Sequence, residues 1–331
     1  MVAPLTALTQ SRVVFEGAPR LYQRPVSDLL VALKALGIKA RSINRDGFPP
    51  IEIHGGRPLG GEVVVSGMIT SQHVSGLLMV APYARRNVRI RISGELLSKP
   101  YVDVTIDAMR EFGGEVGNLN YEQFVVTAGE KYWGREYTIE GDYSSAAYFF
   151  AMGAISGTAI TVTGLNPRSV QGDRHFLDLM ARMGCNIISG KEGFTVSRQK
   201  PLSGITIDMG NYPDIVQPLA ITAAFARGKT LIKNIGHLIY KETDRINHTA
   251  MELRKMGITV DVTENSMLVT GGQPRGAEVE SHNDHRLVMS LATAGLFAEG
   301  ETVISGAEAA SKSYPNFFRD IAKVGAVVQE I

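Results

Sequence analysis

Short clusters of charged and hydrogen-bonding residues stand immediately before apolar, helix-like stretches of the sequence. Residues 241–245 read KETDR and precede INHTAMELRKMG, and residues 283–286 read NDHR and precede LVMSLATAGLFA. The first backbone N–H groups of a helix have no partner inside it, and the helix dipole adds partial positive charge at that end. Lys and Arg side chains at such helix starts therefore predict a site for an anion.

Other clusters have the same position but also simpler explanations. Residues 70–72 (Thr-Ser-Gln) follow the strand-like GEVVVSG, where a single Ser or Thr helix cap would suffice. Ser98 and Tyr101 flank Lys-Pro at the start of a helical stretch. Asp214 precedes IVQPLAITAAFA, as a cap or as a catalytic base, and Lys312 lies in AASKSYPNFF, where an isolated lysine is usually solvated.

The sequence argues against a metal or cysteine centre. His282 and His285 are three residues apart, but neither a cysteine nor an acidic third ligand stands at helical spacing from them. Cys185 is the single cysteine, which excludes a disulfide framework and a cysteine cage. It follows a helix-ending Met-Gly, so we predict that it packs in the core and is not a nucleophile. We expect no metal and no cofactor.

Charge and composition restrict the partners. The 331 residues carry 34 Lys+Arg and 33 Asp+Glu, a formal net charge of +1, which argues against a general nucleic-acid coat or a polybasic membrane anchor. No apolar run reaches the ~18 residues of a membrane-spanning helix, and residues 1–16 lack the pattern of a signal peptide. We expect a cytoplasmic protein with neither nucleic acid nor membrane as partner.

The elements that must position these clusters recur along the chain. Five helix-like stretches each end in an apolar residue and a glycine, with strand-like sequence directly after, at Gly37, Gly113, Gly184, Gly257 and Gly325. These glycines are 76, 71, 73 and 68 residues apart and suit the left-handed position that ends a helix. The pattern predicts an α/β fold built from units of about 70 residues.

We place a domain boundary near residue 140, before the helix-like SSAAYFFAMGAISG. The expected domains are 1–139, with two repeats, and 140–331, with three. Helices that run side by side within a domain present their N-termini on one side, so their dipoles would add to the Lys and Arg charges in one cleft. The ligand expected there is small and multiply anionic.

The motifs, in their order, resemble the 5-enolpyruvylshikimate-3-phosphate synthase family. The matching stretches cover the chain from about residue 13 to its end: GMITSQ, LLSKPYVDVT, EGDYSSAAYF, GDRHFLDLMARMG, YPDIVQPLAITAAFA, KETDRINHTAMELRKMG, HNDHRLVMS and AASKSYPNFF. The resemblance implies the two-domain enolpyruvyl transferase fold, an inside-out α/β barrel of βαβαββ units. The family's Gly-Ser-Lys-Ser and Asn-Ala-Gly-Thr segments do not occur here, so the resemblance implies an incomplete first domain.

The resemblance also implies an activity and a set of site residues. The family transfers the enolpyruvyl group of phosphoenolpyruvate to a hydroxyl of shikimate-3-phosphate by addition and elimination, releasing phosphate. Asp214 matches the proton acceptor and Glu242 the proton donor. The residues matching shikimate-3-phosphate contacts are Thr70, Ser71, Gln72, Ser98, Tyr101, Asp214, His237 and Lys241. Those matching phosphoenolpyruvate contacts are Gln72, Arg245, His285, Arg286 and Lys312.

Two alternatives remain open at this stage. The chain could be a truncated, catalytically impaired binding protein or the partner of a split enzyme, since a family unit is expected to be absent. It could also be a UDP-N-acetylglucosamine enolpyruvyl transferase, a family of the same fold that uses a reactive cysteine on a mobile loop, but Cys185 lies at a helix–strand junction. We expect a monomer, with self-association through the incomplete first domain as the alternative.

Overall fold

The computed structural model describes residues 1–129, 131–191 and 193–330. The chain divides into two compact units, Met1–Thr138 and Ile139–Ile331. This division falls one residue before the boundary expected from the sequence. No helix in the described part of the chain combines the length and the apolar character needed to cross a membrane.

The first unit begins with a three-stranded antiparallel sheet. Strands β1 (Arg12–Phe15), β2 (Lys39–Ser42) and β3 (Ile51–His54) have the spatial order β1-β3-β2. Helix α1 (Ser27–Ala35) connects β1 to β2 and buries its leucines in the core of this unit.

A complete βαβαββ unit follows. Its elements are β4 (Gly61–Ser66), α2 (Ser71–Val80), β5 (Val88–Ser93), α3 (Lys99–Glu111), β6 (Val116–Leu119) and β7 (Gln123–Val126). The strand order is β4-β5-β7-β6, with β4 and β5 parallel and the other pairs antiparallel. Val63, Val65, Val88 and Ile90 alternate with exposed residues, so one face of the sheet is buried.

The second unit opens with a nearly all-apolar helix. In α4 (Tyr143–Ser156) twelve of fourteen residues are buried, as expected for a helix that is hydrophobic on every side. Asp142 caps it by accepting hydrogen bonds from the backbone N–H groups of Ser144 and Ser145. The next elements are β8 (Ile160–Thr163), α5 (His175–Arg182), β9 (Cys185–Ser189) and β10 (Gly193–Arg198), and the antiparallel strand order is β8-β10-β9.

The βαβαββ arrangement of the first unit recurs in the second. Its elements are β11 (Thr206–Asp208), α6 (Val216–Ala224), β12 (Lys229–Lys233), α7 (Arg245–Lys255), β13 (Thr259–Val262) and β14 (Ser266–Thr270). The order β11-β12-β14-β13, with the first pair parallel, repeats that of β4 to β7. The last elements are β15 (Glu278–Glu280), α8 (His285–Gly295), β16 (Val303–Ser305) and α9 (Phe317–Lys323), and β15 and β16 are parallel.

Helices form the interior of the second unit, and the sheets cover them. All nine residues of α6 are buried, whereas β8 alternates half-buried and exposed residues. The expected α/β class and the repetition of βαβαββ units are confirmed in this arrangement. The incomplete first domain stays a prediction.

The five glycines of the sequence repeat end helices as predicted. Each stands two residues after the last helical residue, the C′ position, and each has a positive φ: Gly37 (83°), Gly113 (87°), Gly184 (106°), Gly257 (82°) and Gly325 (99°). A Cβ atom is disfavoured there, which explains why glycine recurs.

Candidate active site

A buried arginine lies at the centre of the candidate site. Arg245 is the first residue of α7, and it is the largest fully buried side chain in the described part of the chain, with 2% of its surface exposed. Asp244 caps the same helix by accepting a hydrogen bond of 3.1 Å from the backbone N–H of Asn247. Asp244 therefore performs the capping function, and Arg245 is free to point inward.

Three carboxylates surround the Arg245 guanidinium group. Nη1 lies 2.9 Å from Asp214 Oδ1, Nη2 lies 2.7 Å from Glu242 Oε2, and Nε lies 2.8 Å from Asp284 Oδ2. A buried charge is tolerated only when it is paired and hydrogen-bonded. The carboxylates come from three separate segments, so folding brings residues 214, 242 and 284 together around one cation.

The carboxylates differ in their access to solvent. The side chain of Asp284 is fully buried, whereas those of Asp214 and Glu242 are 20% and 21% exposed. Asp284 also caps α8, since its Oδ1 accepts from the backbone N–H of Arg286 at 2.8 Å. Asp284 is therefore placed to hold Arg245, while the side chains of Asp214 and Glu242 remain partly exposed.

Asp214 bridges two guanidinium groups. Its Oδ2 accepts a hydrogen bond of 2.9 Å from Arg286 Nη2, and its Oδ1 accepts one from Arg245. Burial raises the pKa of Asp214, but the charges of Arg286, Arg245 and Lys241 outweigh burial and hold that pKa below its usual 3.8. Asp214 is thus a carboxylate in this structure. Its location in a short 3₁₀ turn, Pro213–Ile215, makes it no helix cap.

Two buried histidines adjoin these charges. Burial lowers the pKa of His285, the first residue of α8, to about 4, and Arg286 adds to the effect. Burial likewise lowers the pKa of His237 to about 4, together with the charge of Lys241. Neither ring nitrogen of His237 has a hydrogen-bond partner within the described residues. Both rings are neutral at pH 7 and can donate or accept a hydrogen bond.

Sequence reasoning missed two contributors to this cluster. Asp284 was noted only as part of residues 283–286, although it caps α8 and binds Arg245. Tyr148, in the middle of α4, is fully buried beside the cluster, where the charges of Arg286 and Arg245 oppose the effect of burial, which raises its pKa. Neither role is visible in a local pattern, because a tyrosine in an apolar helix is indistinguishable from core.

Residues of the first unit occupy helix starts as expected. Thr70 caps α2, and its Oγ1 accepts a hydrogen bond of 3.2 Å from the backbone N–H of Gln72, so the simple cap that the sequence favoured is confirmed. Ser71 is buried and Gln72 is exposed. Ser98 precedes α3 in a left-handed conformation, with φ of 58°, and its side chain makes no cap bond.

The first unit contains one cation that the sequence analysis overlooked. Burial lowers the pKa of His73, in the first turn of α2, to about 4, and the charges of the N-terminal amine and of Arg24 add to this shift. The charge of Arg24 therefore acts at the start of α2. Arg24 stands just before α1, so the helix-start pattern used for the other clusters would have found it.

Lys312 differs from the expected arrangement. It ends the 3₁₀ turn Ala307–Lys312, which four residues separate from α9, and its side chain is exposed. It makes no hydrogen bond or ion pair within the described residues, so the structure brings Asp214, Arg245 and Arg286 together but leaves Lys312 out of their network. No group of three or more potential metal ligands occurs in the part of the chain that is described.

The arrangement suits acid–base chemistry on an anionic molecule. Three carboxylates and the cations Arg245, Arg286 and Lys241 balance in formal charge, and the starts of α7 and α8 adjoin them. Cys185 shows the opposite environment: it is half-buried at the start of β9, and burial raises the pKa of its thiol to about 11. The prediction of a packed cysteine is confirmed, and no reactive thiolate stands there.

The chain combines repeated βαβαββ units and inner helices with partly exposed carboxylates on a buried guanidinium group. These features define an α/β protein equipped for proton transfer on small anions. The family model of EPSP synthase (3-phosphoshikimate 1-carboxyvinyltransferase) matches residues 1–321. The chain belongs to the EPSP synthase family.

Curated relatives and solved structures agree with this assignment. A 3-phosphoshikimate 1-carboxyvinyltransferase of Methanoculleus marisnigri is 46% identical over 94% of this chain and 73% of its own length. One from Shewanella denitrificans is 39% identical over 98% of the chain and 76% of its own length. An EPSP synthase structure from Acinetobacter baumannii has a TM-score of 0.80, with 26% identity over 99% of this chain and 77% of that one.

These matches bear on two sequence expectations. Relatives of the same printed activity span nearly the whole chain, so the alternative of a UDP-N-acetylglucosamine enolpyruvyl transferase, which also required a reactive cysteine, is not supported. The matches do not support the expectation of an absent first unit. Two curated relatives are matched over 94% and 98% of this chain and over 73% and 76% of their own length.

Proposed function

We propose that this chain transfers the enolpyruvyl group of phosphoenolpyruvate to a hydroxyl of shikimate-3-phosphate and releases phosphate, a step of aromatic amino-acid biosynthesis. The observation that carries the proposal is that Asp214 and Glu242 pair with two nitrogens of buried Arg245 while their own side chains remain partly exposed. An addition–elimination reaction needs two such groups, one to remove a proton and one to supply it.

The reaction assigns opposite roles to the two carboxyl groups. In the addition, the substrate hydroxyl gives its proton to Asp214 as its oxygen bonds to C2 of phosphoenolpyruvate, and Glu242, in its carboxyl form, gives a proton to the methylene carbon C3. In the elimination, the Glu242 carboxylate takes a proton back from the new methyl group as the C2–O bond to phosphate breaks, and the proton held by Asp214 leaves with the phosphate. Both carboxyl groups thereby return to their starting protonation states.

Ligand binding must change the environment of Asp214 before it can act as a base. Its ion pairs with Arg286 and Arg245 hold its pKa below the usual value, which makes the free carboxylate a weak base. An anionic phosphate or carboxylate group that binds Arg286 would take over part of that charge. The pKa of Asp214 would then rise toward the range useful for catalysis.

The remaining contacts divide by the charge they can recognise. We propose that Arg245, Arg286, His285, Lys312 and Gln72 bind phosphoenolpyruvate. We propose Thr70, Ser71, Gln72, Ser98, Tyr101, His237, Lys241 and Asp214 for shikimate-3-phosphate. His237 supports this division, because a buried neutral ring with two nitrogens lacking described partners can hydrogen-bond a hydroxyl without adding charge. We also propose functional domains of 1–139 and 140–331 in a monomeric chain.

Phosphate release in the presence of both substrates tests the proposal. The wild-type chain should release phosphate only when shikimate-3-phosphate and phosphoenolpyruvate are both present. Asp214→Asn and Glu242→Gln should each lower kcat by roughly 10²–10⁴, the usual effect of a lost general acid or base. The matched controls Asp261→Asn and Glu264→Gln change exposed carboxylates of the same unit and should retain the wild-type rate.

Two outcomes would contradict the assignment. A near-normal rate of either active-site variant would remove the role given to that residue. Tight calorimetric binding of shikimate-3-phosphate by a wild-type chain that shows no turnover would instead favour the binding-protein or split-enzyme alternative.

A further inference from the structure

Two stacked histidines connect the segments that carry the acid–base cluster. The rings of His248 and His282 are nearly parallel, with an interplanar angle of 12° and ring centroids 3.9 Å apart. His248 Nδ1 is hydrogen-bonded to Thr243 Oγ1. Thr243 lies next to Glu242 in the chain, and His282 lies two residues before Asp284. The contact therefore joins residues 241–245 to residues 281–286.

The far side of the stack is anchored to a buried carboxylate. His282 Nε2 lies 2.8 Å from Glu252 Oε1, and Glu252 is fully buried in α7. The other oxygen of Glu252 accepts a 3.0 Å hydrogen bond from the backbone N–H of Glu280 and pairs with Lys255 at 2.8 Å. A single carboxylate thus fixes both the His282 ring and the end of β15.

The backbone between the stack and the cluster needs such an anchor. His282 and Asn283 have φ values of 50° and 56°, two consecutive left-handed residues without a glycine. A non-glycine residue in this region costs roughly 1–2 kcal/mol, and the conformation persists only where surrounding contacts fix it. Asp284, His285 and Arg286 follow directly in the chain. The contact between His282 and Glu252 therefore fixes the backbone from which these side chains extend.

We propose that the His248–His282 stack, through Thr243, is a positioning pair that holds the Glu242 and Arg286 segments in register for the transfer reaction. The inference rests on the proposed function. Thr243, His248 and His282 need not touch either substrate. They act through the geometry of Glu242, Arg245 and Asp284, where displacements of about 1 Å can cost up to 10²-fold in rate.

The charges around the stack make its geometry sensitive to acid. Burial lowers the pKa of His248, His282 lowers it further, and Asp244, Glu252 and Glu280 oppose them. His282 also faces Glu280, with Nδ1 3.8 Å from Oε1, and Lys255 already shares Glu252. Because the charge of His282 opposes a charge on His248, protonation of His248 would weaken the stack, whose ring centroids are 3.9 Å apart.

A pair of substitutions at Thr243 separates positioning from simple stability. Thr243→Val removes the hydroxyl group and keeps the side-chain shape, so kcat should fall about three- to tenfold with KM changed less than about twofold. Thr243→Ser restores the hydroxyl and should recover most of that loss. Equal kcat values for the valine variant and the wild type, or equally low values for both variants, would overturn the proposal.

The pH dependence of His248→Phe provides a second test. Phenylalanine can stack on His282 but cannot be protonated, so the ratio of its kcat/KM to the wild-type value should increase at least about threefold between pH 8 and pH 5.5. Using the ratio cancels the ionisation of the substrates. The control His54→Phe changes a half-exposed histidine of the first unit and should give a flat ratio. A flat ratio for His248→Phe would contradict the proposed role.

A titration without substrates distinguishes failure of this inference from failure of the proposed function. Ring-nitrogen NMR signals of His248 should titrate at a higher pH in His282→Gln than in the wild type, because glutamine can still bind Glu252 but carries no charge. An unchanged His248 titration would refute the coupled stack. A wild-type chain that shows this coupling but releases no phosphate with both substrates would refute the proposed function alone.

Discussion

The βαβαββ arrangement of β4 to β7 and that of β11 to β14 share strand order and strand direction but differ at their helix starts. In the first, hydroxyl groups precede the helices: Thr70 caps α2, and Ser98 precedes α3. In the second, acids do so: Asp214 precedes α6, and Asp244 caps α7. The same backbone frame therefore presents neutral hydrogen-bonding groups in one unit and ionised groups in the other.

The difference extends to the cations that follow. Lys99 opens α3 with 29% of its side chain exposed and pairs with Glu95, which is 73% exposed. Arg245 opens α7 with 1% of its side chain exposed, against three carboxylates. Water screens the first cation, whereas protein groups alone solvate the second. The comparison teaches that one position in a repeated frame can be a surface contact or the centre of a site, depending on what packs over it.

The largest difference between the two regions should appear when Arg245 and Lys99, the first residues of α7 and α3, are each replaced by an uncharged side chain and the free energy of unfolding is measured. Arg245→Met leaves Asp284 buried without its counter-ion, and we expect a loss of about 3–5 kcal/mol in the free energy of unfolding. Lys99→Met removes the partly exposed pair with Glu95 and the contact over the Tyr121 ring, and it should cost about 1 kcal/mol. Urea unfolding followed by circular dichroism measures both. Similar losses for the two variants would erase the distinction between the two helix starts.

Low pH should destabilise the two regions alike, because each contains a buried histidine, His73 or His237. The folded-state pKa of His73 and of His237 is about 4, below the ordinary 6.5, because burial disfavours the charged ring. Between pH 6.5 and pH 4 the unfolded chain therefore binds protons that the folded chain does not, and stability falls as the pH falls.

Substitution by glutamine sharpens that expectation. His73→Gln and His237→Gln should each flatten the decline in unfolding free energy by about 1–2 kcal/mol over this pH range. Urea unfolding at pH 6.5, 5.5 and 4.5 provides the comparison. A variant that keeps the wild-type slope would show that its histidine is not held neutral by burial.

The smallest expected effect concerns the cap of the neutral helix start. Thr70→Val removes the oxygen that accepts from the Gln72 N–H, and it should cost about 1 kcal/mol of stability. Thr70→Ser keeps that oxygen and should be nearly neutral. Calorimetry with shikimate-3-phosphate then tests the proposed contact: unchanged affinity in Thr70→Val would leave Thr70 as a cap alone.

Local sequence was a good guide wherever a short-range rule governs the structure. The five helix-ending glycines could be predicted because the left-handed C′ position admits few other residues. The helix starts at Thr70, Ser98 and His285 could be predicted from polar residues ahead of apolar runs. The position of Lys312 was predicted less well, because four residues separate its 3₁₀ turn from α9 and carry no periodic signal.

Contacts between distant segments were beyond the reach of the sequence. The residue numbers of Asp214, Glu242 and Asp284 do not indicate that all three carboxylates meet one guanidinium group. The stacking of His248 on His282 is equally invisible, because the two residues are 34 positions apart and belong to no shared motif. In the sequence, Tyr148 is indistinguishable from a core residue, and only the structure shows that it lies near Arg286 and Arg245.

The amino-acid sequence by itself determined the repeated α/β architecture and the kinds of side chain at each helix start, because turn glycines, caps and hydrophobic periodicity act over a few residues. Only the tertiary structure decided which of those charges are buried, which are paired and which remain accessible. Burial and pairing depend on the distances between segments far apart in the chain, and these distances set the pKa of Asp214, the confinement of Arg245 and the contact between the two histidines.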